Sequence, residues 1–316
     1  MLGFDGFEMN DGLKEAIERF WAGGIILFRY NIASPEQLKQ LCADAQALAK
    51  SLGRPPLFIA VDQEGGTVAR LRAPFTEFPG NPHIHSRKEA EAFARVTAAE
   101  LSAGGINMNL APVLDMVPPG AESIMEKRAF PGDADQVSVL GGAVIDTLQE
   151  NGVMAVAKHF PGIGRTVLDS HHTLPVLDID THTLESNDMV PFRRACDQGV
   201  AGVMLSHIMF PQQDPHWQAS LSPIIAKKML REKLNYQGLL LTDDLDMKAI
   251  SHDMETCVRQ IFLADIDLTL ICHRGPDMER AFTHMIHLME SETNFRDMGR
   301  ISVDRILAMK KVKLGT

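Results

Sequence analysis

The sequence predicts an α/β protein, a single-domain (β/α)8 TIM barrel spanning residues 1–316, and three observations predict it. Short runs that are apolar throughout alternate with longer amphipathic stretches, eight such runs are present, and polar residues cluster directly after them. A run without polar alternation belongs to a strand buried on both faces, as in a parallel sheet covered by helices. Eight of them favour a closed barrel over an open doubly wound sheet.

The strands are expected at residues 2–4, 24–28, 57–61, 108–111, 153–157, 202–205, 238–241 and 268–271. Amphipathic helices are expected between them, at 35–50, 87–103, 136–151, 183–198 and 223–234 among others. No Ser/Gly/Pro linker or charge block divides the chain. The interval 113–135 is too long for a simple connection and contains Pro118-Pro119-Gly120, so it reads as a loop on the catalytic side. A second long interval, 167–181, carries Asp169-Ser170-His171.

Composition narrows the function classes. The 316 residues are 45% hydrophobic and 23% charged, with a formal net charge of -10. An acidic chain of this kind is a poor nucleic-acid binder. No apolar run approaches the roughly 20 residues of a membrane span, and no secretory leader opens the sequence, so a cytoplasmic location is expected. Cys42, Cys196, Cys257 and Cys272 form no CxxC pair and suggest neither a zinc knuckle nor a disulfide framework. The oligomeric state is not fixed by these features.

The candidate chemistry lies at strand ends, where a barrel enzyme needs it. Asp62-Gln63-Glu64-Gly65-Gly66 follows the third run, Asp115 the fourth, Lys158-His159 the fifth, Ser206-His207 the sixth and Asp243-Asp244 the seventh. Asp243 can act as a carboxylate nucleophile; an aspartate at a strand–helix junction can equally cap the helix, a role Asp244 or Asp246 could take instead. Asp169-x-His171 sets a carboxylate beside an imidazole, which suits general acid–base work, or a charged surface loop. Lys158, Arg70 and Arg128 are candidate binders of hydroxyl or carboxylate groups. Gly162 and Gly164 suit a turn or a close ligand approach, without the spacing of a phosphate or dinucleotide loop. A metal centre from His159, Asp169, His171 and His207 is the competing chemistry, against which the spacing argues.

At these residues the chain resembles glycoside hydrolase family 3, specifically its short bacterial β-N-acetylglucosaminidases of the peptidoglycan-recycling type. The likeness is carried by Gly23–Phe28 with Asn31, Val61–Gly66, Ala69-Arg70-Leu71 and Ala111–Asp115. It continues through Arg128-Ala129-Phe130, Lys158–Gly164, Asp169-Ser170-His171 with Pro175, Gly238–Met247 and Arg305-Ile306-Leu307. It implies a TIM barrel that hydrolyses terminal β-linked N-acetylglucosamine with retention, needing neither metal nor organic cofactor. It implies Asp243 as nucleophile, His171 oriented by Asp169 as acid/base, and Asp62, Arg70, Arg128, Lys158 and His159 lining the sugar pocket. The substrates it implies are N-acetylglucosaminyl-anhydromuramic acid fragments. A histidine acid/base adds no second negative charge near the nucleophile and leaves room for phosphate as acceptor, so a phosphorylase is an alternative, as is a β-glucosidase. A silent sugar-binding barrel is the non-enzymatic rival. Ile163 stands where the family usually has His, the segment 121–127 replaces one normally containing Asn and Gly, and Asp265 stands where Gly is usual.

Overall fold

The computed structural model describes residues 1–168 and 174–315. The strands are β1 (Gly24–Leu27), β2 (Phe58–Val61), β3 (Gln63–Gly65), β4 (Val68–Ala69), β5 (Met108–Asn109), β6 (Met154–Phe160), β7 (Gly202–Leu205), β8 (Leu239–Asp244) and β9 (Leu268–Leu270). The main helices are α1 (Asp11–Glu18), α2 (Pro35–Ser51), α3 (Arg87–Ala103), α4 (Ala134–Glu150), α5 (Val190–Asp197), α6 (Pro223–Lys233), α7 (Met254–Leu263), α8 (Pro276–Ser291) and α9 (Thr293–Leu314). Side chains of Ser34, Ser86, Asp133 and Asp253 accept the third backbone N–H of α2, α3, α4 and α7, which fixes where each begins.

Seven strands form one curled parallel sheet in the order β1-β2-β5-β6-β7-β8-β9, and β3 and β4 form a small antiparallel hairpin. The protein is therefore α/β, with sheet and helices in the alternation expected. The expected strand at 2–4 is reduced to isolated parallel bridges from Leu2 to Ile25 and to Ile271. Leu2 N–H donates to Gly24 O at 3.1 Å and Gly3 N–H to Ile271 O at 3.0 Å, so this segment bonds to both outer strands of the sheet. The expected strand at 153–157 runs further, through Lys158, His159 and Phe160.

Both faces of the sheet are buried, and alternate residues serve two separate cores. Ile25, Leu27, Ile59, Val61, Ala155, Ala157, Val203 and Leu205 face the helices. Their neighbours Ile26, Phe58, Ala60, Met154, Val156, Met204, Leu239 and Leu241 pack together on the concave side. Two-residue periodicity explains the division, and burial of both sets explains why each run is apolar without interruption. Ile306, Met309 and Leu314 of α9 pack against the inner core. Among the described residues, no helix is long and apolar enough to cross a membrane.

Candidate active site

Continuing the inward register past the apolar residues places the chemistry. Phe58 and Ala60 lead to Asp62, Met154 and Val156 to Lys158, and Leu239 and Leu241 to Asp243, each two residues further along its strand. These side chains meet in a cavity of about 270 Å³ at the carboxyl ends of the strands, with Arg70, Arg128 and His159 also in its wall. Residues in or just past every strand of the main sheet contribute, with Ile26, Leu110, Met204 and Leu270 supplying an apolar lining below the polar groups. The structure thus brings together six of the eight residues singled out from sequence. Asp169 and His171 lie outside the described residues.

Lys158 organises one wall. Its Nζ lies 2.7 Å from Asp62 Oδ1 and 2.6 Å from Glu64 Oε1. Arg70 reaches the other Asp62 oxygen at 3.3 Å, and Arg128 holds Glu64 through two bonds of 2.7 and 2.9 Å. Burial alone would raise the Asp62 carboxyl, but the Lys158 ammonium and the Arg70 guanidinium outweigh it and hold Asp62 down at about 2. Lys158 moves the opposite way: burial opposes its charge, the two carboxylates restore it, and it stays protonated. Glu64 was not singled out as a site residue from sequence. Its position one residue beyond Gln63 in the Asp62-Gln63-Glu64 block was the available signal.

His159 is fixed by Asp115. The fully buried Asp115 carboxylate lies 2.7 Å from His159 Nδ1 and accepts the backbone N–H groups of His159 and Ile163, the latter at 2.8 Å. A carboxylate on Nδ1 sets the ring's orientation and directs Nε2 outward as the group available to a ligand. The loop after β6 needs its glycines: Gly162 has φ of +126°, and a Cβ on Gly164 would fall 2.0 Å from the Met116 carbonyl oxygen. The peptide bond between Lys158 and His159 is cis.

Asp243 faces this wall from β8. Burial pushes its carboxyl up, but the nearby His207 and His159 rings, the Asp244 N–H at 2.8 Å and Lys158 bring it below the usual carboxylate range. His207 is buried behind it, with Nε2 2.8 Å from the Asp244 carbonyl oxygen and Nδ1 2.6 Å from Ser220 Oγ. Because a carbonyl only accepts, Nε2 carries a proton there, and in the neutral ring Ser220 donates to Nδ1. Burial lowers the His207 pKa, and the Asp243 charge beside it pulls in the opposite direction.

Of the metal ligands considered from sequence, Asp169 and His171 lie outside the described residues. Within the described residues, His159 and His207 are engaged as above, and the group with metal-like spacing is instead Asp244, Asp246 and His273 at the rim.

Residues 2–308 match the glycosyl hydrolase family 3 N-terminal domain. The chain belongs to glycosyl hydrolase family 3. A β-hexosaminidase of Methylobacillus flagellatus is 36% identical over 288 residues, covering 88% of this chain and 80% of that protein. A family 3 β-N-acetylglucosaminidase from Paenibacillus sp. FPU-7 superposes with a TM-score of 0.94 at 36% identity over 99% of this chain, which spans only 61% of that protein. NagZ of Neisseria gonorrhoeae superposes with a TM-score of 0.78 at 30% identity over 97% of both chains. These likenesses bear out the expected enzyme class, a glycoside hydrolase of the β-N-acetylhexosaminidase type.

Proposed function

We propose that this protein is a retaining exo-β-N-acetylglucosaminidase, and that Met1–Gly3 completes its sheet as the eighth strand of a single-domain (β/α)8 barrel. The observation that carries the reading is the convergence of Asp243 with Asp62, Lys158 and His159 in one cavity at the strand ends. A cavity of this size takes one pyranose ring, with an apolar floor for its carbon face and charged groups for its hydroxyls.

In this mechanism Lys158 and Arg70 donate to sugar hydroxyls, while Asp62 and the outward Nε2 of His159, whose Nδ1–H is held by Asp115, accept from them. The Arg70 Nε, buried and without a partner among the described residues, is one donor left for substrate. Asp243, kept ionised by its surroundings, attacks the anomeric carbon and forms a covalent glycosyl ester. His171, oriented by Asp169, gives its proton to the departing oxygen. It then takes a proton from water, which attacks the same carbon and releases Asp243, so that configuration is retained. Asp115 serves the pocket by holding His159, and His207 by holding the backbone beside Asp243.

Following the resemblance, we assign the natural substrates to N-acetylglucosaminyl-anhydromuramic acid fragments and the enzyme to the cytoplasm. The first test is release of 4-nitrophenol from its β-N-acetylglucosaminide and its β-glucoside, each with and without phosphate. Cleavage of the first alone, independent of phosphate, is expected. A sugar-1-phosphate product would make it a phosphorylase, preference for the glucoside would move it to that branch, and binding without turnover would leave a sugar-binding barrel.

A further inference from the structure

The cavity at the strand ends has a neighbour. A second cavity, of about 550 Å³, lies between the loop after β8 (245–253) and the loop after β9 (271–275). The two adjoin. Met247 lines both, Cys272 lines the first and His273 the second, and the His273 ring stacks on Phe28 of the first with centroids 6.1 Å apart. Charges of both signs line the second cavity, Lys248, Arg274 and Arg280 beside Asp246, Asp253 and Asp277. Arg274 is held by Glu15 at 2.8 Å and Arg280 by Asp277 at 3.1 Å. Lys248 is exposed and makes no ion pair among the described residues. The Asp246 carboxylate accepts the His273 N–H at 2.7 Å, which ties the two loops together.

We infer that this second cavity receives the ring on the far side of the scissile bond, and that Lys248 and His273 there select leaving groups that are themselves hydroxylated sugars. The inference rests on the proposed role of Asp243. That residue marks where the anomeric carbon lies, and the glycosidic oxygen is bonded to that carbon, so the leaving group starts beside the end of β8. The first cavity, of about 270 Å³, is filled by one pyranose, and the next ring must lie beyond it. The chain just past Asp243 leads from one cavity into the other, since Asp244 and Met247 line the first and Asp246 and Met247 the second. A lining of both signs suits a sugar, because each hydroxyl both donates and accepts: Lys248 and Arg274 can donate to it, and Asp246 can accept. A hydrocarbon in the same place would take these groups out of water without replacing their hydrogen bonds.

Diacetylchitobiose and trifluoroethyl β-N-acetylglucosaminide test this. Both present the same terminal sugar, and trifluoroethanol leaves at least as readily as a sugar hydroxyl, so faster cleavage of the disaccharide reports contacts with its second ring. A hydrogen bond to a charged group is worth about tenfold, so kcat/KM for the disaccharide should exceed that for the trifluoroethyl glycoside by about that factor or more. In Lys248→Ala and in His273→Ala this ratio falls about threefold or more, while kcat/KM for the trifluoroethyl glycoside stays within about twofold of wild type. Lys248, exposed on its loop, keeps the test available should the His273 variant fold poorly. A wild-type ratio of one or below, ratios unchanged in both variants, or equal losses on both substrates overturn the second subsite while leaving the glycosidase reading standing. If the wild-type protein cleaves neither of these glycosides nor the 4-nitrophenyl one, the glycosidase reading itself falls and the inference with it.

Discussion

Two buried ionic networks sit at opposite ends of the same sheet, and only one of them belongs to the candidate active site. At the mouth, Asp62 and Glu64 face three cations, Lys158, Arg70 and Arg128. At the base, Asp265 and Asp267 face two, Arg231 and Arg305. The base network is turned toward structure. Asp267 Oδ1 takes Arg305, and Oδ2 takes Arg231 and the Leu240 N–H, so one carboxylate ties α6 and α9 to the start of β8. The mouth network is turned toward a cavity and has more cations than carboxylates, with Asp243 as a further anion across the opening. Burial of ion pairs therefore does not mark a catalytic site; position at the carboxyl ends of the strands and donors left over for a ligand do.

The sharpest way to break the comparison is Asp243→Asn. An amide cannot form the glycosyl ester, so hydrolysis of the 4-nitrophenyl glycoside is expected to fall by about four orders of magnitude or more, and labelling by a fluorinated sugar is lost. Thermal stability should fall only modestly beside the loss of activity: the surroundings hold the Asp243 carboxyl below its usual range, so its charge is stabilising, but it makes no ion pair with Lys or Arg among the described residues. Retention of near-normal turnover would remove Asp243 from the mechanism.

Lys158→Met comes next, and it should cost both activity and stability. It leaves Asp62 and Glu64 buried side by side without their shared ammonium, a loss of about 3–5 kcal/mol. The sign with pH is specific. Asp62, held at about 2, contributes stability above its ordinary range near 3.8 that fades only as pH falls toward 2. Lys158, held upward, contributes fully below its ordinary 10.5 and loses that contribution only as pH rises through its folded value. The gap in melting temperature between wild type and variant is therefore widest near neutrality and narrows as acid protonates the two carboxylates. A gap that stays unchanged as pH falls from about 4 toward 2 would show that lost packing, and not lost charge pairing, is responsible.

Asp267→Asn probes the other network. It weakens the bonds to Arg231 and Arg305 while an amide oxygen still accepts from Leu240, so a loss of about 2–3 kcal/mol is expected. Turnover per folded molecule should stay within about twofold of wild type. A large fall in kcat with stability intact would erase the distinction between mouth and base.

What was legible in the sequence follows from which signals are local. Apolar runs ending in Asp62, Lys158 and Asp243 are local, and the inward register continues through them unbroken. Glu64 was passed over because its significance lies in contacts with residues far along the chain: Arg128 lies 64 positions away in sequence. The pairing of Asp115 with His159 across 44 positions is hidden for the same reason. His207 was weighed as a metal ligand, but its partners are a backbone carbonyl and Ser220, neither of which a residue pattern reveals. The strand at 2–4 was over-read in length, since three apolar residues state a preference for burial without saying how many ladder bonds they make.

The smallest effect expected separates the two adjacent aspartates at the end of β8. Asp244 lies in the same cavity wall as Asp243, yet its carboxyl moves the other way, up to about 6, because burial and the Asp246 charge outweigh the N–H bonds it accepts from Asp246 and Cys272. A raised carboxylate pKa means that the folded protein holds the proton more tightly than the unfolded chain does. Stability is thus lost as pH climbs from about 4 to about 6, and the loss persists above that. Asp244→Asn removes the charge but keeps an oxygen for the two N–H groups, so the variant should melt above wild type at pH 7, by about 1–2 kcal/mol, and match it near pH 4. The same substitution should leave Asp243 with one fewer negative neighbour and sharpen the contrast between them. If the variant is instead less stable at pH 7 than at pH 4 relative to wild type, the Asp244 carboxylate is paired with a cation, and the rim formed with Asp246 and His273 is where to look for it.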